Sequence, residues 1–366
     1  MKKATRGIGK TAQWGVALVG LLMKSGSQKR RRRRNKNSAQ IYYWLFGFLA
    51  VIFLGIGSGG LPGETEDSNP ETAANLSEAP TEEEPPVSDM EVHFIDVGQG
   101  DATLVKADGH YMLIDAGDNS KGSAVQLYLS KQGVEKLDYL ILTHTDADHI
   151  GGADVIVSKF DIDQIFLGDF KKDNKTYKEL MDAMAYRDIV YEVPEAGAEY
   201  QLGNASFIII APNAVYEDPN NSSIALVLKN GENTFLFSGD CEADAEADIL
   251  SNGLDIDVDV YKAGHHGSKT SSSKEFLEAM TPVYSVISCE ENNSYGFPHA
   301  ETLNNLRSMG VKVFRTDEQG SIIAYSDGSK LTWNCAPSES WKAGESTKHS
   351  VTEGSSREKT KENERN

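Results

Sequence analysis

Four residues able to hold a metal ion, His144, Asp146, Asp148 and His149, fall within six positions, directly after the run LDYLILT. A short run rich in Leu and Ile and closed by Thr predicts a buried strand over 137–143. The strand end fixes these side chains on a rigid segment, and the following Gly151-Gly152 lets the backbone turn into a helix. Side chains alternate along an extended chain, so His144 and Asp146 face one ion. Asp148 and His149 follow as the loop turns and can face a second. Imidazole and carboxylate together suit zinc or a similar divalent ion. Strand-end loops also use Asp and His for ordinary hydrogen bonding, but rarely four at this spacing.

Two further segments repeat the arrangement. Phe237-Ser238-Gly239-Asp240 ends one apolar run with a carboxylate placed to bridge two ions. Lys262-Ala263-Gly264-His265-His266-Gly267-Ser268 ends another with two imidazoles. Each alone is weak: Asp240 also reads as the cap of a helix over 242–251, and paired histidines are often simply solvated. Recurring at strand C-terminal ends, the three segments predict one shared site. His265 and His266 are adjacent and point differently; His265 is the expected ligand, and His266 the expected support or substrate contact.

The surrounding pattern predicts strands at 91–94, 102–106, 111–114, 190–193, 205–210, 224–229, 234–238, 258–262, 283–288, 312–316 and 321–326, with a further strand signal at Phe166. Helices are predicted at 123–132, 242–251, 272–280 and 300–309. Asn230-Gly231 marks a hairpin turn. Many strands, with helices falling between groups of them, predict an α/β (α+β) domain over 90–335 built of two packed sheets with helices outside.

The set His144-x-Asp146-x-Asp148-His149, Gly239-Asp240 and His265-His266-Gly267-Ser268 resembles the metal motifs of the metallo-β-lactamase superfamily. More narrowly, His93-Phe94-Ile95-Asp96-Val97-Gly98-Gln99-Gly100-Asp101, followed by Leu113-Ile114-Asp115-Ala116-Gly117, resembles the extracellular hydrolase domain of the ComEC competence protein family. The resemblance covers about 91–325. It implies an αββα sandwich with one or two divalent ions, zinc or manganese, between the sheets. The expected metal ligands are His144, Asp146, Asp148, His149, Asp240 and His265. A divalent ion lowers the pKa of water from about 15.7 to near 7. Asp148, or else Asp240, is expected to orient that water, and His265, His266 or His299 to protonate the leaving group or stabilise charge.

The chain departs from the superfamily pattern in places. Asp146 stands where the superfamily has a second histidine, as in the ComEC-like branch. The superfamily's next histidine has no equivalent in Pro219-Asn220-Asn221-Ser222-Ser223, which leaves one metal position thinly ligated. Tyr295-Gly296-Phe297-Pro298-His299 resembles the family's Tyr-Gly-His-Pro-His loop with Phe297 in place of the first histidine. His299 is then a proton donor or phosphate contact, or else a surface cap for the helix from Ala300. Asp96, Asp101 and Asp115 read either as partners orienting the ligating histidines or as turn caps, and Asp118 as a turn cap.

The flanks differ in charge. Residues 1–40 hold twelve Lys and Arg and no acid, including the run Arg30 to Arg34. The uncharged stretch IYYWLFGFLAVIFLGIG follows; extended to Leu61 it reaches the span of about 20 residues that a bilayer core requires. Basic residues before it and Tyr42, Tyr43 and Trp44 at its start predict a transmembrane anchor over 41–61, a cytoplasmic leader over 1–40, and an extracytoplasmic C-terminal portion. A cleaved signal and a secreted domain are the alternative. Residues 62–89, with nine acids and no base, read as a disordered linker, and 336–366 as a disordered tail. One span is too few for the polytopic channel of the ComEC family.

Between 91 and 335 there are 18 basic against 40 acidic residues, a balance that repels polyanions unless ions or a strip such as Lys262, Lys269 and Lys274 override it. The leading expectation is a membrane-anchored phosphoester or phosphodiester hydrolase. A nuclease acting on single-stranded DNA during uptake and a non-catalytic binding module are the alternatives. Cys241, Cys289 and Cys335 specify no disulfide, and Cys241 reads as a small buried residue.

Overall fold

The computed structural model describes residues 89–346. The expected leader (1–40), anchor (41–61), linker (62–89, apart from its last residue) and the end of the tail (347–366) lie outside the described residues. Among the described residues no helix is long and apolar enough to cross a membrane.

The chain builds β1 (Met90–Phe94), β2 (Thr103–Ala107), β3 (His110–Ile114), α1 (Gly122–Lys131), β4 (Lys136–Leu142), α2 (Ala147–Ile150), α3 (Ala153–Lys159), β5 (Asp161–Leu167) and α4 (Lys175–Tyr186). A second run follows: β6 (Glu199–Leu202), β7 (Ala205–Ala211), β8 (Ala225–Asn230), β9 (Asn233–Phe237), α5 (Ala243–Ser251), β10 (Val260–Lys262), α6 (Lys274–Met280), β11 (Tyr284–Ile287), α7 (Ala300–Ser308) and β12 (Lys312–Arg315). The short α8 (Thr316–Gln319) then leads to β13 (Ile322–Ser326) and β14 (Leu331–Trp333). The strands form two seven-stranded sheets, ordered β14-β13-β1-β2-β3-β4-β5 and β12-β11-β10-β9-β8-β7-β6.

Alternation along the strands explains the layering. Ile141 of β4 joins Phe94, Phe166, Phe207, Phe235 and Phe314 in a core drawn from both sheets. Its neighbours Leu140 and Leu142 face the other way, packing with Val125 and Leu129 of α1, Ile156 and Val157 of α3, and Leu180 and Met184 of α4. The outer face of the second sheet does the same with α5, α6 and α7, through Leu236, Tyr261, Ile249, Phe276, Leu277 and Leu306. Each sheet is buried on both faces, which is why its central strands read as near-continuous apolar runs.

Parallel pairing places the chemistry. β3 runs parallel to β4, and β9 parallel to β10 and β10 to β11, so the C-terminal ends within each sheet lie side by side. β4–β5 and β11–β12 are parallel as well, and the remaining pairs are antiparallel, as in the β8–β9 hairpin. Gly231 in that hairpin's turn has φ +57°, and a Cβ there would stand 2.3 Å from the Gly328 carbonyl oxygen, so only glycine fits.

The structure departs from the sequence expectations in places. Residues 190–193 form no strand, only an isolated bridge between Glu192 and Phe166. Helix α3 is the one into which Gly151-Gly152 was expected to turn, whereas helix α4 was not expected. Rather than starting a tail at 336, the described chain packs on through 346: Arg315 Nη1 donates to the Lys342 carbonyl, Gly344 N–H to the Pro298 carbonyl, and the Ser346 hydroxyl to the Ser294 carbonyl.

Candidate metal centre

Thr143 and His144 leave β4 into a loop whose backbone is pinned from two sides. Asp101 N–H donates to the Asp148 carbonyl, and Ala116 N–H to that of His149. At Gly100, φ +142°, a Cβ would lie 2.4 Å from the Asp148 carbonyl oxygen, so the β1–β2 loop can press this closely only with glycine. Asp115, in the left-handed region at φ 58°, closes the array. Its carboxylate accepts from Thr143 N–H, from the Thr143 hydroxyl and from His149 Nδ1, each at 2.8 Å. The sequence alternative that made Asp115 an orienting partner of a histidine is the arrangement found.

The opposite wall comes from the second sheet. Asp240 follows β9, its N–H donating to the Ser223 hydroxyl. His265 and His266 follow β10 in a tight turn, both left-handed at φ 49° and 55°. His266 Nδ1 donates to the Ser288 carbonyl beyond β11 at 3.0 Å, which turns its Nε2 into the site. Behind the turn, buried Glu246 accepts from Ser272 and Ser273 N–H and ties α5 to it.

These walls converge on Asp240. Its Oδ1 lies 3.3 Å from His149 Nε2, and its Oδ2 3.7, 3.8 and 3.9 Å from the Nε2 atoms of His266, His265 and His144. Asp148 Oδ2 is 3.3 Å from His266 Nε2. Asp101, His149, Asp240 and His266, all buried, each offer one donor atom, and these lie within 4.8 Å of one another. The Nε2 atoms of His144, His149 and His266, with Asp240 Oδ1 and Asp101 Oδ1, make no hydrogen bond. A buried polar atom left so costs roughly 1–3 kcal/mol. The arrangement fits a cation among the donors: in His149, His144 and His266 the Nδ1 side meets Asp115, Thr143 and a backbone carbonyl, leaving Nε2 as the free lone pair.

The electrostatics point the same way. Burial alone would lower the His149 pKa, but the carboxylates of Asp240 and Asp115 hold it well above 6.5. His266 is likewise raised against burial by Asp240, Asp101 and Asp148. Burial would raise Asp240, yet the charge of His149 and His266 holds it well below the usual carboxylate range. Asp148 is lowered despite burial by the imidazoles of His266, 3.3 Å away, and His149. His144 is pushed down by burial and by neighbouring His149, so it stays neutral.

Of the expected site residues, His144, Asp148, His149, Asp240 and His266 come together. His265 sits at the rim, partly exposed, with Nδ1 3.2 Å from Glu242 Oε1. Asp146 turns toward Lys172, which donates to its Oδ1, and is 4.0 Å from His144 Nε2. His299 stands at the N-terminus of α7 without a side-chain cap bond; its Nδ1 accepts from Lys269 N–H, and its ring packs on Phe297. Asn221 is turned from the centre: Oδ1 accepts from Glu242 and Ala245 N–H at the start of α5. Asp96 and Asp118 cap turns, accepting from Gly98 and Ser120 N–H. Lys262 forms no surface strip, because it is buried and its Nζ meets Asp101 Oδ2 at 2.9 Å. The sequence reading missed Asp101 as a member of the donor group and Lys172 as the partner of Asp146.

A two-sheet sandwich with outer helices and a His/Asp cluster at strand ends defines a metal-dependent hydrolase fold. The family model described as the metallo-β-lactamase superfamily matches residues 95–290, more than half of the chain, and the chain belongs to that superfamily. ComE operon protein 3 of Bacillus subtilis is 32% identical over 256 residues, covering 64% of this chain and 33% of its own length. Recombination protein 2 of Haemophilus influenzae is 31% identical over 238 residues, 63% of this chain and 28% of that protein. Competence protein ComA of Neisseria gonorrhoeae is 30% identical over 242 residues, 65% and 32%. The chain thus spans about a third of the length of the curated relatives it matches.

Proposed function

We propose that this domain hydrolyses phosphoester or phosphodiester bonds with the help of zinc or manganese, on the outer side of a membrane to which residues 41–61 anchor it. The observation that carries this reading is the convergence of the buried, unbonded Nε2 atoms of His144, His149 and His266 on the Asp240 carboxylate. Asp148, His149, Asp240 and His266 would hold the ion, with His144 beside it. When bound, a divalent ion supplies Lewis acidity to the phosphoryl oxygens and brings the pKa of water toward neutrality.

The chain's own groups do the rest. Asp148, kept ionised, accepts a proton as a water oxygen bonds to phosphorus. The P–O ester bond breaks, and the departing alkoxide takes a proton from His265, which lies at the accessible rim with Glu242 behind it. The resemblance of the sequence motifs to the ComEC family supports DNA as substrate, and the Arg run followed by an apolar stretch supports the anchor.

The test is turnover of bis-p-nitrophenyl phosphate and of single-stranded DNA by the full chain loaded with zinc or manganese. Activity lost in Asp148→Ala is the expected result. A folded, metal-loaded protein that turns over neither substrate overturns the reading and leaves a binding module.

A further inference from the structure

We propose that the centre takes one divalent ion, not two, and that the Lys172 ammonium at the His144–Asp146 end is a built-in cation that grips an anionic oxygen of the substrate. This rests on the phosphoester reading above and goes beyond it in metal number and substrate contact.

The two ends of the centre are furnished unequally. At one end, donors of Asp101, His149, Asp240 and His266 gather within 4.8 Å of one another, and Asp148 lies 3.3 Å from His266. At the other, His144 Nε2 stands 4.0 Å from Asp146 and 3.9 Å from the shared Asp240. The third donor there is the shared Asp240, so the set reaches three only if Asp146 is free to join it. Asn221, in the segment where the superfamily pattern carries a further histidine, spends its Oδ1 on Glu242 and Ala245 N–H and its Nδ2 on Asp218. Structural and catalytic zinc positions take at least three protein ligands.

The Asp146 carboxylate, moreover, already has its cation. Lys172, from the loop between β5 and α4, donates to Asp146 Oδ1 with its side chain 25% exposed, so it is shielded but reachable from outside. An ammonium has three donors, and among the described residues Asp146 is the one partner Lys172 meets, which leaves donors for a ligand. The charge is placed where it counts: 18 bases face 40 acids between 91 and 335, so an anionic ester needs a local cation, and Lys262 is sealed against Asp101.

The experiment measures metal content by mass spectrometry and inorganic phosphate affinity by calorimetry, on the full chain saturated with manganese and with zinc, for wild type, Lys172→Met and Lys172→Arg. One ion per chain in all three is expected. Phosphate should bind about tenfold or more weaker in Lys172→Met, and near wild type in Lys172→Arg, as for loss and rescue of a charge-assisted bond. Retention of the single ion by Lys172→Met shows that the variant is folded. Two ions in wild type, or unchanged phosphate affinity in Lys172→Met, overturn the inference. No bound ion in wild type overturns the hydrolase reading as well, a result distinct from either.

Discussion

The two ends of the metal centre are made of the same residue types and yet behave as opposites. At the Asp148–His149–Asp240–His266 end, three of the four residues are held from behind. Asp115 grips His149, the Ser288 carbonyl grips His266, and Ser223 fixes the backbone of Asp240. At the His144–Asp146 end, one imidazole has a modest hydroxyl partner at 3.1 Å, and the carboxylate is engaged by a lysine. Ligand identity alone does not make a metal position; the partners behind the ligands do.

The sharpest way to break this contrast is Asp240→Ala, which removes the carboxylate that every imidazole of the cluster faces. Metal affinity should fall by more than the roughly 10–100-fold typical of losing an outer partner, and isothermal titration reads it directly. Next, His266→Ala should weaken metal binding about 100-fold, whereas His265→Ala at the rim should cost under about tenfold and act mainly on turnover. Equal effects would erase the distinction between buried and rim imidazoles. Asp115→Asn should cost about 10-fold in metal affinity, since the amide still occupies the space but no longer polarises His149.

A pH series adds a finer cut. In the metal-free protein His149 and His266 are raised above 6.5, so their contribution to stability is complete below that value. It is lost as pH rises through the raised values, by up to about 1.4 kcal/mol per pH unit per group. Metal must displace the same protons, so affinity should climb over that window by up to about tenfold per unit for each proton released. Melting of the metal-free chain and metal titration from pH 6 to 9 should therefore run in opposite directions, and a flat metal affinity would remove both histidines from the ligand set. The smallest effect belongs to Asn221→Ala, which should destabilise the fold by about 1 kcal/mol through loss of the α5 cap and leave metal affinity unchanged.

What could be read in the chain beforehand follows from the range of the interactions. β4 and the cluster after it were legible because the apolar run, the alternation and the glycines are local. Likewise Asp240 and the histidine pair each ended an apolar run. Helix α4 was not, since its apolar stripe reduces to buried Leu180 and Met184 in an otherwise polar KTYKELMDAMAY, although Asn174 accepts from Tyr177 N–H as a cap would. Lys172 and Asp146 are 26 residues apart, and Lys262 and Asp101 161 apart, so no spacing rule joins them. Which of His265 and His266 turns inward depends on left-handed backbone at both, a preference their side chains do not announce.

That turn has a consequence for how the protein can change. Two successive non-glycine residues in a sparsely populated conformation store of the order of 1–3 kcal/mol each. His265→Gly would relax the loop and should raise the melting temperature even as it removes a working imidazole. At this one corner, durability and catalysis ask for different amino acids, so a variant selected for heat resistance alone would drift toward a sturdier and duller molecule.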